Sequence, residues 1–396
     1  MGHQREADIV TNSQDDAHGR VQIIPMSDGE ELTTNGADFI LSLPKAELHL
    51  HLEGSVDPET LSELSRRHNT PLPTANNRYR NIEDSGRELS VEEARAVYEY
   101  RDFTGFLLAF KAVTERLRTP EDYELITYRL MQKLAAQHVL HAEVFVSVGV
   151  IFWRGQPFDP LFAGMERGRE RGERDFGISL RWIFDAVRHF GPEEARKVAE
   201  KAIECRERNV VGFGLGGDER RAAPELFRDV YRLAREHGLR LTCHAGESAG
   251  PESIRAALDI GSERLGHALT LIDDEGLLRE IVERQVPLEI CLSSNLRTGC
   301  CASLGSHPLR RYYDLGACVV LNTDDPAMFL TSLSREYEIA QDGFAFSGEE
   351  LRQLARNSFR ASFLPDQRKQ ELLAYASRLP RELPHDTTQN HDRNRR

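Results

Sequence analysis

Thr242-Cys243-His244-Ala245-Gly246-Glu247 sets an imidazole and a carboxylate three positions apart, directly after an apolar run from Leu239 to Cys243. A strand that ends in a turn would deliver both groups to one edge of a sheet. Imidazole is the commonest metal ligand near neutral pH and a neighbouring carboxyl group can move a proton, so this turn holds both halves of a metal-assisted hydrolysis. A second candidate lies far upstream. From Leu43 to Gly54 leucines alternate with polar residues at period two, which places Leu48, Leu50 and Leu52 on one face of a strand and His49, His51 and Glu53 on the other. Downstream stand His267, Ser293-Ser294-Asn295 and Asn322-Thr323-Asp324-Asp325. Taken singly, each has a plain structural reading. A His-x-His is often a hydrogen-bonded pair, an Asp pair after a strand caps a helix or makes a turn, and His267 fits a satisfied core histidine.

The elements that must carry these residues decide between the readings. Beyond the first strand, seven short β-rich runs follow: Val139 to Ser147, Ile178 to Val187, Val210 to Gly217, Arg240 to Glu247, Glu263 to Leu269, Pro287 to Ser294 and Ala317 to Asp325. Amphipathic segments separate them, as in Pro224 to His237, where Leu226, Val230 and Leu233 share a face. Several of these open on Pro and stop at Gly. Eight βα units in series predict a (β/α)8 barrel, whose reactive groups gather at the C-terminal ends of the strands. The candidate residues fall at those ends. One mouth would therefore unite side chains nearly three hundred positions apart.

A helical insertion, residues 56–138, follows the first strand. Pro58 to Arg67, Val91 to Arg101 and a segment opened by Thr119-Pro120-Glu121-Asp122 read as helices, with a loop over Pro71 to Gly86. An insertion of this length is expected to cover the mouth as a lid. Residues 1–37 read as a disordered arm, 38–365 as the barrel with its insertion, and 366–396 as a C-terminal helix and frayed tail.

Three imidazoles and a carboxylate suit one zinc ion with a position left for water, and His49, His51, His244 and Asp324 supply them. Zinc lowers the pKa of bound water to roughly 7. His267 would orient that water or take its proton, and Glu247 would pass a proton to the substrate. No Lys interrupts Gly212 to Gly217, so a carboxylated lysine bridging two metals is not expected. Two other patterns carry little: Gly212 to Gly217 satisfies G-x-G-x-x-G without the acidic residue a dinucleotide site needs, and His51-Leu52-Glu53 lacks the P-C-x-x-C partner of a cytidine-deaminase centre.

Composition narrows the partners. The chain has 396 residues with 51 Lys and Arg against 64 Asp and Glu, a net charge of -13 that disfavours nucleic acid and anionic lipid. No apolar run approaches the roughly 18 residues of a membrane span, and no signal-peptide pattern opens the chain, so the expected location is cytoplasmic. Six cysteines without C-x-x-C spacing read as buried thiols. A small neutral substrate fits this balance, and a homo-oligomer is compatible with it.

Leu43 to Gly54, Gly214-Leu215-Gly216-Gly217-Asp218-Glu219, His244-Ala245-Gly246-Glu247, Leu265-Gly266-His267 and Asn322-Thr323-Asp324-Asp325-Pro326 resemble, in order, the motifs of the adenosine deaminase family. The resemblance covers residues 38 to 365. It implies an amidohydrolase barrel with one zinc on His49, His51, His244 and Asp324, and Glu247 protonating a purine at N1 while hydroxide attacks C6. It also implies that His267 assists the water, Asp325 bonds the N7 side, the Gly217 backbone N–H bonds N3, and the 6-amino group leaves as ammonia. Glu53 stands where the family's adenosine enzymes carry an Asp that contacts the sugar 5′ side. Ala268 replaces the Gly that commonly follows the sixth-strand His. Gly217-Asp218-Glu219 is similar to nucleoside-acting members rather than to adenine deaminases, and several segments are similar to aminodeoxyfutalosine deaminases. The expected substrate is thus a purine nucleoside, adenosine or aminodeoxyfutalosine, with Arg101, Arg116 and Arg154 available to meet a benzoate. Free adenine, or a non-catalytic metal or nucleoside binder, is the alternative; intact Glu247 and His267 argue against the binder.

Overall fold

The computed structural model describes residues 36–70, 90–100 and 103–378. Eight strands form one sheet in sequence order: β1 Lys45–His51, β2 Val139–Val146, β3 Ser179–Val187, β4 Val210–Gly216, β5 Arg240–Ala245, β6 Arg264–His267, β7 Leu288–Ile290 and β8 Val319–Leu321. All adjacent pairs are parallel. Just beyond β8, Leu50 and Asp324 form a parallel bridge. There the Asp324 N–H donates to the His49 carbonyl at 2.9 Å, and the His51 N–H donates to the Asp324 carbonyl at 2.7 Å. The sheet is a (β/α)8 barrel, as the eight repeats predict. Its closing seam also welds three of the candidate ligands together by their backbones.

The strands are shorter than their sequence patterns suggest. β8 stops at Leu321 because the Asn322 side chain takes over the ladder: its Oδ1 accepts from the backbone N–H of Leu48 at 2.8 Å and of His49 at 3.1 Å. β7 stops at Ile290, and Leu292–Arg297 winds into a helix, so Ser294 and Asn295 reach the mouth from a helical turn rather than a strand tip. β1 ends at His51. Glu53 opens a 3-10 turn, Glu53–Ser55, and so leaves the alternation that its spacing predicts.

Outward residues of β1 and β8 make a conventional apolar layer. Ala46, Leu48 and Val320 pack with Phe359 and Leu372 of the helices Gly348–Ala361 and Asp366–Ala376. Each fully buried Leu, Val or Phe side chain among these stabilises the fold by about 1.5–3 kcal/mol. The inner layer is polar. Arg264 of β6 reaches Glu143 of β2 on one side and Glu289 of β7 on the other, with Nε to Glu289 Oε1 at 2.6 Å. Phe363 closes the interior beneath, its ring 3.7 Å from the Arg264 guanidinium carbon and its N–H donating to Glu143.

After β1 come the helices Pro58–Arg67, Val91–Val97, Phe103–Thr114 and Pro120–Ala135. The last is started by Thr119 and Asp122 in a reciprocal capping box with Pro120 in the first turn. The Phe103–Thr114 helix is absent from the sequence reading because Phe-Thr-Gly-Phe-Leu-Leu-Ala-Phe is apolar with little periodicity. Tyr98 donates to the Val56 carbonyl at 2.5 Å and Tyr100 to the Met328 carbonyl at 2.7 Å, so the insertion is pinned to both ends of the closing seam. Residues 1–35 of the N-terminal arm, the Pro71 to Gly86 loop and the tail from 379 lie outside the described residues, whereas the last two residues of the expected arm open the helix Gly36–Ser42. Cys205, Cys243, Cys291 and Cys301 are buried, whereas Cys300 and Cys318 are partly exposed, which corrects the expectation for those two. Among the described residues no helix is long and apolar enough to cross a membrane.

Candidate active site

Period-two alternation along β1 aims His49 and His51 into the barrel, and β5 aims His244 at the same point. One donor atom from each, with a carboxylate oxygen of Asp324, lies within 4.8 Å of all the others, and all four residues are buried. His49 Nε2 is 3.1 Å from His244 Nε2, and His51 Nε2 is 3.4 Å from it. Asp324 Oδ1 is 3.3 Å from His51 Nε2 and 3.6 Å from His49 Nε2. Ligands about 2.0–2.1 Å from a tetrahedral zinc ion stand roughly 3.3 Å from one another, so the cluster has the dimensions of a zinc shell.

The chemistry of the donors agrees. His49 Nδ1 is 2.8 Å from Glu289 Oε2, which fixes the proton on Nδ1 and leaves the Nε2 lone pair facing the cluster. Burial disfavours charge on His49 and His51. The carboxylates outweigh it, Asp324 and Glu289 for His49 and Asp325 and Asp324 for His51, and hold the pKa values up at about 9 and about 10. The carboxylates thus favour positive charge in the pocket, which a divalent cation on these residues would supply. Asp324 sits at φ +66 and its second oxygen accepts from Ser294 Oγ at 2.6 Å, so this carboxylate is oriented on both sides.

Behind these ligands the structure adds residues that sequence reasoning missed. Glu289 orients His49, Arg264 neutralises Glu289, and Glu143 shares Arg264. The available signal was an acid in the middle of the apolar run Leu288-Glu289-Ile290. Asp185 of β3 is also buried beside the cluster, with Oδ1 lacking a hydrogen-bond partner, and burial pushes its carboxyl up to about 7. The glycines of β4 that mimic a nucleotide loop make room for it: a Cβ on Gly216 would stand 2.8 Å from Asp185 Oδ2 and 3.3 Å from His244 Cε1.

Two further titratable groups, His267 and Glu247, stand beside the cluster. His267 Nε2 lies 3.9 Å from Glu247 Oε2 and 4.0 Å from Asp324 Oδ2. Burial pushes the Glu247 carboxyl up, toward the protonated form a general acid needs. Its loop is held by one carboxylate. Glu219 accepts from the backbone N–H groups of Gly246, Glu247, Ser248 and Ala249 at 2.5, 2.9, 2.9 and 3.0 Å.

Of the expected substrate contacts, Asp325 is buried with Oδ1 unpaired, and burial, then the adjacent Asp324, pushes its carboxyl well up. Gly54 makes this placement possible, because a Cβ there would meet Asp325 Oδ1 at 1.9 Å. Glu53 is buried too: Oε1 accepts from the Ser147 N–H at 3.1 Å and Oε2 has no partner. Gly217 ends β4 at φ +90, a conformation that suits glycine and turns the backbone at the rim. Of the three arginines, Arg101 lies outside the described residues. Arg116 is buried and donates to Ser65 Oγ and the Ala112 carbonyl. Arg154 follows the short helix after β2 with a buried, unpaired Nε. Beside the acid-bearing loop, Glu247, Ser248, Thr270, Thr298, Cys300 and Arg220 line a cavity of about 480 Å³.

Comparison with known proteins gives a consistent picture. The family model described as adenosine deaminase matches residues 44–377. The aminodeoxyfutalosine deaminase of Streptomyces avermitilis is 36% identical over 329 residues, which are 82% of this chain and 88% of that protein. The crystal structure of adenine deaminase from Arthrobacter aurescens superimposes with a TM-score of 0.77 at 32% identity, over 85% of this chain and 98% of that one. An amidohydrolase from Burkholderia ambifaria, solved with bound Zn, gives 0.73 at 29% identity, over 88% and 94%.

Proposed function

This chain belongs to the adenosine deaminase family, and on that premise we propose that it hydrolyses the 6-amino group of a 6-aminopurine to a 6-oxo group, releasing ammonia. The observation that carries the reading is the convergence of His49, His51, His244 and Asp324 at the spacing of a zinc shell, with Glu247 and His267 across the same mouth. A zinc ion on those four residues would lower the pKa of a water and make it a nucleophile at neutral pH. The zinc-bound relative from Burkholderia ambifaria supports that choice of metal.

The chain's own groups then divide the remaining work. Glu247, whose carboxyl burial pushes up, donates its proton to purine N1, which makes C6 more electrophilic. His267, beside Glu247 in the same mouth, holds the water's oxygen for attack on C6; of the water's two protons one leaves on ammonia and the other restores the Glu247 carboxyl. Asp325 meets N7. Since N7 offers only a lone pair, the carboxyl must bring the proton, in keeping with its raised pKa. The Gly217 N–H meets N3. Burial of His267 and Asp325 strengthens the contacts they make.

We take the substrate to be a nucleoside, adenosine or aminodeoxyfutalosine, because Gly217-Asp218-Glu219 follows the nucleoside-acting pattern and a relative of the second kind is 36% identical. Arg154, with its unpaired Nε, is the candidate to meet the benzoate. Free adenine is the second reading, favoured by Glu53. Its buried Oε2 awaits a donor, and N9–H of the free base is one. Initial rates on adenosine, aminodeoxyfutalosine and adenine, with Glu247→Gln as control, test the proposal. A kcat/KM at least about tenfold higher for one nucleoside supports it; preference for adenine selects the second reading, and absence of ammonia release from all three refutes both.

A further inference from the structure

His267 ends β6 in a left-handed conformation, φ +65, and Ala268 repeats it at φ +50. The two ring nitrogens, which point apart in any imidazole, meet different partners. Nε2 faces Glu247 and Asp324, while Nδ1 lies 3.0 Å from the Asn295 amide nitrogen. An amide nitrogen only donates, so in this orientation Nδ1 must accept.

What fixes the amide lies one residue further out. Asn295 Oδ1 is 3.2 Å from His307 Nε2, and His307 Nδ1 accepts from the backbone N–H of Leu309 at 3.1 Å. A backbone N–H can neither flip nor lose its proton. His307 Nδ1 is therefore bare and Nε2 carries the hydrogen. Asn295 Oδ1 accepts it, and the Asn295 NH2 turns to His267 Nδ1. The reversed amide would set N–H against N–H at His307 and lone pair against lone pair at a bare His267 Nδ1. Asn295 is fully buried and His307 nearly so. Burial, then the nearby His267, pushes the His307 pKa down to about 4, which keeps that ring neutral with one proton.

We infer that Asn295 and His307, neither of which faces the four-residue cluster, are positioning residues that hold the His267 proton on Nε2, so that the ring presents a donor to the mouth. The inference rests on the proposed role of His267 in steadying the water. The direction of the hydrogen bonds runs inward from the backbone of residue 309 and is set before any substrate arrives. In the helical turn after β7, Asn295 thus contributes beside Ser294, which holds Asp324.

Nitrogen-15 NMR of the full zinc-loaded chain, labelled at the imidazole nitrogens, reads the tautomer directly, with His267→Gln identifying the resonances. The wild type should show a bare Nδ1 and a protonated Nε2 on His267. Asn295→Asp offers an acceptor to both rings, so the His267 proton should move to Nδ1, and kcat should fall about 10²–10⁴-fold with KM changed by less than about threefold. His307→Gln, which keeps a donor for Asn295, should retain kcat within about tenfold, and His307→Phe should not. A wild-type spectrum with Nδ1 protonated, or Asn295→Asp with an unmoved proton or an unchanged kcat, overturns the inference. If Asn295→Asp does not fold, the wild-type spectrum and the two His307 variants decide it. The outcomes separate from those of the deaminase reading: a wild type that turns over no aminopurine refutes that reading whatever the spectrum shows.

Discussion

At the level of single residues the site is a set of buried charges that make sense only together. Glu247→Gln removes the proton donor but keeps the shape; kcat should drop about 10²–10⁴-fold while bound zinc is unchanged, which parallel kinetics and metal analysis would show. Glu289→Gln leaves all four ligands in place yet weakens the hold on the His49 Nδ1 proton. Competition against a chelator should find metal affinity lower by about 10–100-fold, and equal affinity would remove Glu289 from the account. The four-residue cluster was legible in the sequence because period two in β1 and the His244–Glu247 spacing have a geometric meaning. Glu289, Glu143, Arg264 and Asp185 were not, because their roles depend on partners from other strands that a linear pattern does not pair.

At the level of elements, the site is built where strands stop. Asn322 ends β8 with its side chain, a helical turn replaces the tip of β7, and left-handed residues at 267, 268 and 324 swing side chains inward. The sequence located these ends within a few residues. It missed how each strand ended, since that depends on side chains such as Asn322 and Glu219 replacing backbone partners across the barrel. The substitution of Ala268 for the more usual Gly can be judged on the same basis: an alanine at φ +50 is strained where glycine is not, although glycine has more unfolded-state freedom to lose. Ala268→Gly should therefore raise stability by about 0.5–1 kcal/mol in urea unfolding with kcat within about threefold, and a loss of stability would show that the strain is not there.

At the level of the whole molecule, the barrel interior is an ionic column standing on Phe363, with Glu143, Arg264 and Glu289 leading up to His49. Burial alone would raise the Glu143 pKa, but the Arg264 guanidinium, then His141, outweigh it and hold the carboxylate at about 2. A carboxylate whose folded pKa is depressed contributes stability above its unfolded value, near 4.5, and loses it as pH falls toward 2. That contribution is on the order of 3 kcal/mol. Urea unfolding across this window should show a steep loss of stability in the wild type and a shallower one in Glu143→Gln; parallel slopes would mean that Glu143 is not held low. The (β/α)8 class was readable from eight repeats. The polar column was not, because buried charges on apolar strands look like interruptions until the barrel closes.

The account depends above all on one cation shared by residues from β1, β5 and the turn after β8. Elemental analysis of the purified chain, beside His244→Ala and Asp324→Ala, tests this most directly. One zinc per chain in the wild type, lost in both variants, is the expected result; wild type without a stoichiometric divalent metal, or variants that keep it, would contradict the account.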